Sequence, residues 1–204
     1  MKLLKLDLKK HDIETVSEMI YEMDTNLFGL FLSREPADAK EKLIQLIVAG
    51  KNCYGQEHVY IVEDEDGEIL GVLVAFRGDQ IKFLEEARIF RDNMNFVDFF
   101  KLTFIKPVYD RITASKIDAD DLYIGNLVVA NGLRGQGIGS KIIEQSFILG
   151  AEKNCKRVLL DVIFENMNAK KFYEKIGFNV CGEKKLRWSN KSEGTYGMEF
   201  LLDR

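Results

Sequence analysis

Proline, histidine and cysteine are scarce in this chain, and each shortage removes a class of protein. With only 2 prolines in 204 residues there is no proline-rich linker, and no internal repeat or low-complexity stretch stands out either. The 3 cysteines, Cys53, Cys155 and Cys181, are odd in number and far apart, which excludes a disulfide framework and fits reduced thiols. His11 and His58 are the only other soft ligands, so no zinc-type ligand set assembles and no metal is expected. A basic field is missing too: the formal net charge is −4 and the pI is near 5.4, which argues against a nucleic-acid partner. No apolar run approaches the roughly 20 residues that span a bilayer. Met1 to Lys10 alternates charge with Leu and builds no signal-peptide core. These absences lead us to expect a soluble, cytoplasmic protein with no membrane partner.

What is present suffices for a core. At 46% hydrophobic content the chain can bury the interior of one ordinary domain, and residues 1–204 are read as a single domain. Lys2 to Leu8 alternates with period two and reads as a strand, whereas Ile13, Val16, Ile20 and Met23 recur at helical spacing within Asp12 to Asp24. Pro36 and Gly50 bracket a second helix. His58 to Glu63 and Ile69 to Phe76 are strand-like around Asp66-Gly67, a hairpin signal. Further on come a strand from Leu122 to Val129, a helix from Ile138 to about Asn154, a strand from Val158 to Phe164 and a helix from Asn168 to Ile176. Two last strands, Phe178 to Trp188 and Thr195 to Leu202, flank the polar turn cluster 189–194.

The most informative stretch lies between the strand ending at Val129 and the helix starting at Ile138. Arg134-Gly135-Gln136-Gly137-Ile138-Gly139 opens a helix whose first amides have no internal partner, and the helix dipole adds partial positive charge there. A pyrophosphate suits such a place, with glycines letting it approach and Arg134 adding a forked cationic donor. The Walker pattern fails because Ile138-Gly139 stands where Lys and Ser/Thr should follow Gly132 and Gly137. The dinucleotide fingerprint fails because its last glycine would fall on Ser140 and no strand ends just before Gly135. The plainer alternative is a glycine-rich turn into a surface helix.

Downstream, Asn166, Ala169, Phe172-Tyr173 and Gly177-Phe178 form a second motif. Together the two segments, within Leu122 to Phe178, resemble the GNAT superfamily of acyl-CoA-dependent N-acetyltransferases. Arg134, Gly137 and Gly139 match its Arg/Gln-x-x-Gly-x-Gly/Ala segment, and the second motif matches Asn-x-x-Ala-x-x-Phe-Tyr-x-x-x-Gly-Phe. The resemblance implies an α/β fold with a mixed, mostly antiparallel central sheet flanked by helices. It implies acetyl-CoA as co-substrate and an amine-bearing acceptor, a small molecule or a peptide or protein. It implies coenzyme contacts from Leu127, Val128 and Val129 along a splayed strand, and from Arg134, Gly135, Gln136, Gly137, Ile138, Gly139 and Ser140 around the pyrophosphate. Asn166 is expected on the pantetheine arm and Tyr173 beside the thioester sulfur.

Amine acetylation needs a neutral amine and an electrophilic thioester held at attack distance. Positioning and electrostatics then supply much of the rate. Tyr173 is the candidate acid for the departing thiolate, against a plain reading as a buried aromatic. Asp161 is the first candidate base, because a carboxylate inside Val158-Leu159-Leu160-Asp161-Val162-Ile163 needs a partner or a raised pKa. The matching place carries a Glu base in some ribosomal-protein N-terminal acetyltransferases of the family. A structural carboxylate is the competing reading, and Glu165 and Tyr123 are alternative bases. Asn166 also suits a helix entry.

One segment departs from the compact pattern of the family. Residues 78–118, ahead of the central strand, are expected to form a helical insertion rich in Phe: Phe83, Phe90, Phe96, Phe99, Phe100 and Phe104, with Tyr109 beyond. It reads as a helical pair packing aromatics on the sheet edge, or as a lid, a homodimer surface or a surface that recruits a protein acceptor. A catalytically silent acyl-CoA sensor is the alternative to an enzyme. The acidic composition favours a cationic acceptor.

Overall fold

A computed structural model describes residues 2–96, 98–100, 113–186 and 193–202, with the side chains of Leu186 and Glu193 left aside. Seven strands form one sheet in the order β1-β2-β3-β4-β5-β7-β6: β1 (Leu4–Lys5), β2 (Val59–Glu63), β3 (Ile69–Arg77), β4 (Asp121–Val129), β5 (Arg157–Ile163), β6 (Asn179–Leu186) and β7 (Glu193–Leu201). All neighbours are antiparallel except β4 and β5. The helices are α1 (Ile13–Met23), α2 (Thr25–Phe31), α3 (Pro36–Ala49), α4 (Phe83–Asn93), α5 (Ile138–Glu152) and α6 (Met167–Ile176). A mixed α/β fold with a mostly antiparallel sheet is therefore what the chain adopts.

Alternation along the strands sends side chains to two cores. On one face Val59, Ile61, Val72, Val74 and Val128 meet Val16 and Ile20 of α1 and Leu43, Leu46 and Ile47 of α3. On the other, Leu73, Leu122, Ile124, Val158 and Leu160 meet Ile142 and Ile143 of α5, and Phe172 and Tyr173 of α6 pack against them. Helices on both faces explain the nearly unbroken apolar runs of β4 and β5.

Several expected boundaries shift. The strand expected from Lys2 to Leu8 is reduced to Leu4–Lys5, because the amide of Asp7 donates to His11 Nδ1 and the amides of Lys10 and His11 donate to the Asp7 carbonyl, closing a turn. A helix without an expectation, α2, begins where the Asp24 side chain accepts from the Leu27 amide. Asn154 lies beyond α5 with φ 54°, so that helix stops at Glu152. Trp188 and most of the polar cluster after it lie outside the described residues.

The Phe-rich segment splits in two. Phe90 and Met94 enter the core shared with α1 and α3, and Lys42 of α3 bonds Asp98 at 2.6 Å and Asp38 at 2.7 Å, so the aromatics turned inward rest on α3 instead of the sheet edge. Phe83, Phe96 and Phe100 face outward. Phe104 and Tyr109 lie outside the described residues.

The end of that insertion runs across the sheet. Ala114 and Ser115 sit so close over β6 and β7 that a Cβ at Gly182 would lie 2.8 Å from the Ala114 carbonyl oxygen, and one at Gly197 would lie 2.9 Å from the Ser115 nitrogen. Gly197→Ala should therefore cost about 1–3 kcal/mol in urea unfolding, as overpacking against backbone does. Gly125→Ala serves as the contrast, since its nearest neighbour would be the Val74 oxygen at 3.8 Å, and should stay within about 0.5 kcal/mol of wild type.

Candidate functional site

The site starts from a break in the sheet. β4 and β5 pair in parallel only from Asp121 and Arg157 to Ile124 and Leu160. Beyond that point β4 keeps β3 as its partner as far as Val129, and β5 keeps β7 as far as Ile163. The strands part where β4 carries a bulge: Ala75 pairs with Ile124 and Val74 with Asn126, leaving Gly125 as the extra residue. The cleft so opened is bordered by the backbone of Leu127, Val128 and Val129 on its β4 side. Leu127 and Val129 point to the α5 face, Val128 to the α1 face.

The chain then turns into the glycine loop. Gly135 and Gly137 have φ of 80° and 83°, a left-handed conformation that other residues adopt only under strain, and a Cβ on either would meet nothing within 4 Å. Both therefore stand open to solvent, with their backbone accessible. Gly137 is the N-cap of α5 and offers no side-chain hydrogen bond to the first amides, at Ile138, Gly139 and Ser140. Gln136 Nε2 donates to the Gly132 carbonyl at 3.2 Å, fixing the loop upon itself. Arg134 is exposed and has neither hydrogen bond nor ion pair among the described residues. Gly139 brings the first turn of α5 against the cleft and α6 together: a Cβ there would lie 3.5 Å from Phe172 and 3.6 Å from Val129.

Asn166 caps α6, its Oδ1 accepting from the Ala169 amide at 3.0 Å, and its Nδ2 keeps no partner among the described residues. On the same helix Tyr173 stands edge-on to Phe172 and Phe178, at centroid distances of 5.0 and 5.6 Å. Burial alone pushes its phenol up to about 12. It therefore keeps its proton through the neutral range.

Asp161 and Tyr123 face the opposite side, toward α1, because Val158, Leu160 and Val162 occupy the α5 face. Tyr123 Oη donates to Asp161 Oδ2 at 3.0 Å, while the amides of Ala114 and Ser115 donate to Oδ1 at 2.8 and 3.0 Å. Desolvation raises the Asp161 pKa above the usual carboxylate range, opposed in part by these hydrogen bonds, which favour the charged form. Glu165 is exposed in the turn before α6 and takes no part in this cluster. Sequence reasoning did not single out Ala114, Ser115 or Gly125. The first two come from residues 46 and 47 positions away from Asp161, and a bulge is defined only by its partner strand.

The candidate residues thus fall into two groups. The glycine loop, the end of β4, Phe172 and Tyr173 gather on the α5 side, and Tyr123 with Asp161 on the α1 side. Among the described residues no group of three or more His, Cys, Asp or Glu side chains is placed to hold a metal ion, and no helix is long and apolar enough to cross a membrane.

Comparison with known proteins fits this geometry. A 60-residue stretch is 39% identical to glucosamine 6-phosphate N-acetyltransferase 1 of Dictyostelium discoideum, covering 29% of this chain and 36% of that protein. Another, of 56 residues, is 41% identical to N-alpha-acetyltransferase 30 of the same organism, covering 28% and 30%. The alignments thus take in about a third of the length of these curated relatives. A solved N-acetyltransferase from Staphylococcus aureus Mu50 superposes with a TM-score of 0.69 over 98% of this chain and 100% of its own, at 16% identity, a likeness of fold. The acetyltransferase (GNAT) family matches residues 18–178, and the chain belongs to that family.

Proposed function

We propose that this protein is an acetyl-CoA-dependent N-acetyltransferase that moves the acetyl group directly to a primary amine within a ternary complex. The observation that carries this reading is the parting of β4 from β5 directly before a helix whose uncapped amides are reached through two left-handed glycines. A pantetheine arm carries amide groups that can pair with the unpartnered edge of Leu127 to Val129, as a strand would. The pyrophosphate then falls to the amides at Gly137, Ile138, Gly139 and Ser140, with Gly135 and Gln136 shaping the loop and Arg134 adding charge. Asn166 keeps its Nδ2 for the arm while its Oδ1 caps the helix.

The proton path follows from the two faces. The amine attacks the thioester carbonyl carbon, forming the C–N bond and a tetrahedral oxyanion; the C–S bond then breaks and sulfur leaves with the electron pair. Tyr173, kept protonated by its apolar surroundings, gives its proton to the sulfur. On the α1 side the amine surrenders its proton to Asp161, with Tyr123 relaying it through the hydrogen bond at 3.0 Å. The Asp161 contacts with Ala114 and Ser115 hold the carboxylate in place for this role. Glucosamine 6-phosphate, a peptide with a free amino terminus and a polyamine are the first acceptors to test; the first two are suggested by the relatives' names.

Calorimetry with acetyl-CoA, followed by release of free thiol in the presence of those amines, tests the reading. Saturable binding with turnover supports it; binding without turnover across the set indicates a coenzyme sensor, and no binding removes both. Arg134→Ala should weaken acetyl-CoA binding about 10-fold, the worth of one charge-assisted hydrogen bond, without changing the melting temperature. Tyr173→Phe should lower kcat about 100-fold while the acetyl-CoA Kd holds. In the wild type kcat should show no descending limb below about pH 11, since the phenol stays protonated until then. Asp161→Asn should lower kcat about 100-fold near neutral pH, and its residual rate should climb with pH as the acceptor loses its proton to bulk water. An unchanged pH–rate profile would take Asp161 out of the proton path.

A further inference from the structure

Asn126 is the one β4 residue whose chemistry the fold does not explain. It follows the Gly125 bulge, pairs with Val74 across the sheet, and points to the α1 face between Val74 and Val128, an apolar setting. The residue is 3% exposed, yet among the described residues its amide has a single partner: Nδ2 reaches the sulfur of Met23 at 3.1 Å. A thioether is a weak acceptor, and Oδ1 has no hydrogen-bond partner among the described residues. Oδ1 is not among the fully enclosed unpaired polar atoms of the described residues, so this oxygen meets solvent and a mostly buried side chain presents an open acceptor at the surface. An aliphatic residue of the same size would suit packing better.

The position is as telling as the open acceptor. Asn126 lies where β4 has just left β5, on the same face as the Tyr123–Asp161 pair, and it is separated from Tyr123 along the strand only by Ile124 and the bulge. Met23, which covers it, is the last residue of α1 and is itself 39% exposed, so the cover is one unbranched side chain at a helix end.

Resting on the acetyltransferase reading, we propose that Asn126 is a substrate-contacting residue of the acceptor site, with the open Oδ1 accepting an N–H of the incoming primary amine while Met23 holds Nδ2. Its carbonyl oxygen accepts from an amine in either protonation state, so the contact persists as the proton passes to the Tyr123–Asp161 pair. The remaining N–H and lone pair are thereby oriented, one toward Tyr123 and the other toward the cleft.

Two variants separate this role from a structural one. Asn126→Leu removes both polar atoms while keeping the branched shape of four heavy atoms, and Asn126→Asp keeps an acceptor oxygen. Each is assayed by thiol release at saturating acetyl-CoA with two probes. One is n-butylamine, whose sole polar group is the amine; the other is whichever of the three amines named above the wild type acetylates fastest. Asn126→Leu should raise the acceptor KM at least 10-fold, leave the acetyl-CoA Kd unchanged and hold or raise the melting temperature. Asn126→Asp should keep the acceptor KM within about 3-fold of wild type, since the acceptor oxygen is retained. Wild-type acceptor kinetics in Asn126→Leu would overturn the assignment while leaving the acetyltransferase reading intact, as would equal losses in both variants accompanied by a lowered melting temperature. A wild-type protein that acetylates none of the amines would overturn the parent reading and this one with it.

Discussion

Two parallel strands that begin as hydrogen-bonded neighbours and then separate are the constraint on which the rest of this structure depends. Backbone N–H and C=O groups in a sheet interior are obligate hydrogen-bonding groups, and leaving a row of them unpaired costs free energy unless water or a ligand takes them. β4 and β5 tolerate this because each keeps its other neighbour, β3 and β7 respectively, along the diverging length. The single extra residue at Gly125 supplies the local twist that turns β4 away. The cleft is thus a consequence of pairing, and it opens beside the helix whose own first amides lack a cap. Two separate deficits of hydrogen bonding, one in a sheet and one at a helix start, adjoin and are answerable by one extended ligand carrying amides at one end and phosphates at the other.

The same alternation that builds two hydrophobic cores sorts the polar chemistry. Tyr173 is embedded among Phe172, Phe178 and the α5-side core, and its environment supplies no charge, only desolvation, so the phenol keeps its proton. Asp161 faces the other way and experiences both influences: burial favours its neutral form, and amides from Ala114 and Ser115 with the Tyr123 hydroxyl favour the anion. Burial is the larger. In the proposed function, a carboxylate whose proton affinity is raised by burial accepts a proton more readily than a fully stabilised anion would. The sheet keeps Tyr173 and Asp161, the proposed acid and base, on opposite faces.

How far the sequence reveals this depends on the range of the interactions. The glycine loop was legible because its message is local: positive φ at Gly135 and Gly137 and an uncapped helix start are written in six consecutive residues. Asn166 as cap and Tyr173 on the helix behind it were legible for the same reason. The fold class followed from periodicity and the two motifs. The short β1 did not, since the alternation of Lys2 to Leu8 is real but the His11 ring captures the Asp7 amide and bends the chain away. Nor was α2 apparent, although Asp24 supplied a usable cap signal, because it follows the end of α1 with no loop between. The bulge at Gly125, the amides on Asp161 and the thioether contact of Asn126 depend on residues distant in sequence, so no local pattern announces them.

The insertion before β4 belongs to the site by its last few residues more than by its aromatics. Glycines at 182 and 197 leave room for Ala114 and Ser115 to lie on the sheet, and the amides of those two residues end on Asp161. Ser115 Oγ adds a bond to the Leu160 carbonyl at 3.1 Å, at the last residue of β5 that still pairs with β4. The strap is thus fastened where the strands part, and the α1 side of the cleft has a wall made of chain that a compact version of this fold would lack. Midway along it, the insertion is fixed to α3 through Lys42 and Asp98. Under the proposed function, Ala114 and Ser115 add surface beside Asp161, toward which the amine approaches. Under the same reading, acceptor preference can diverge through these residues while the glycine loop and the cleft, which we assign to the coenzyme, stay as the backbone dictates.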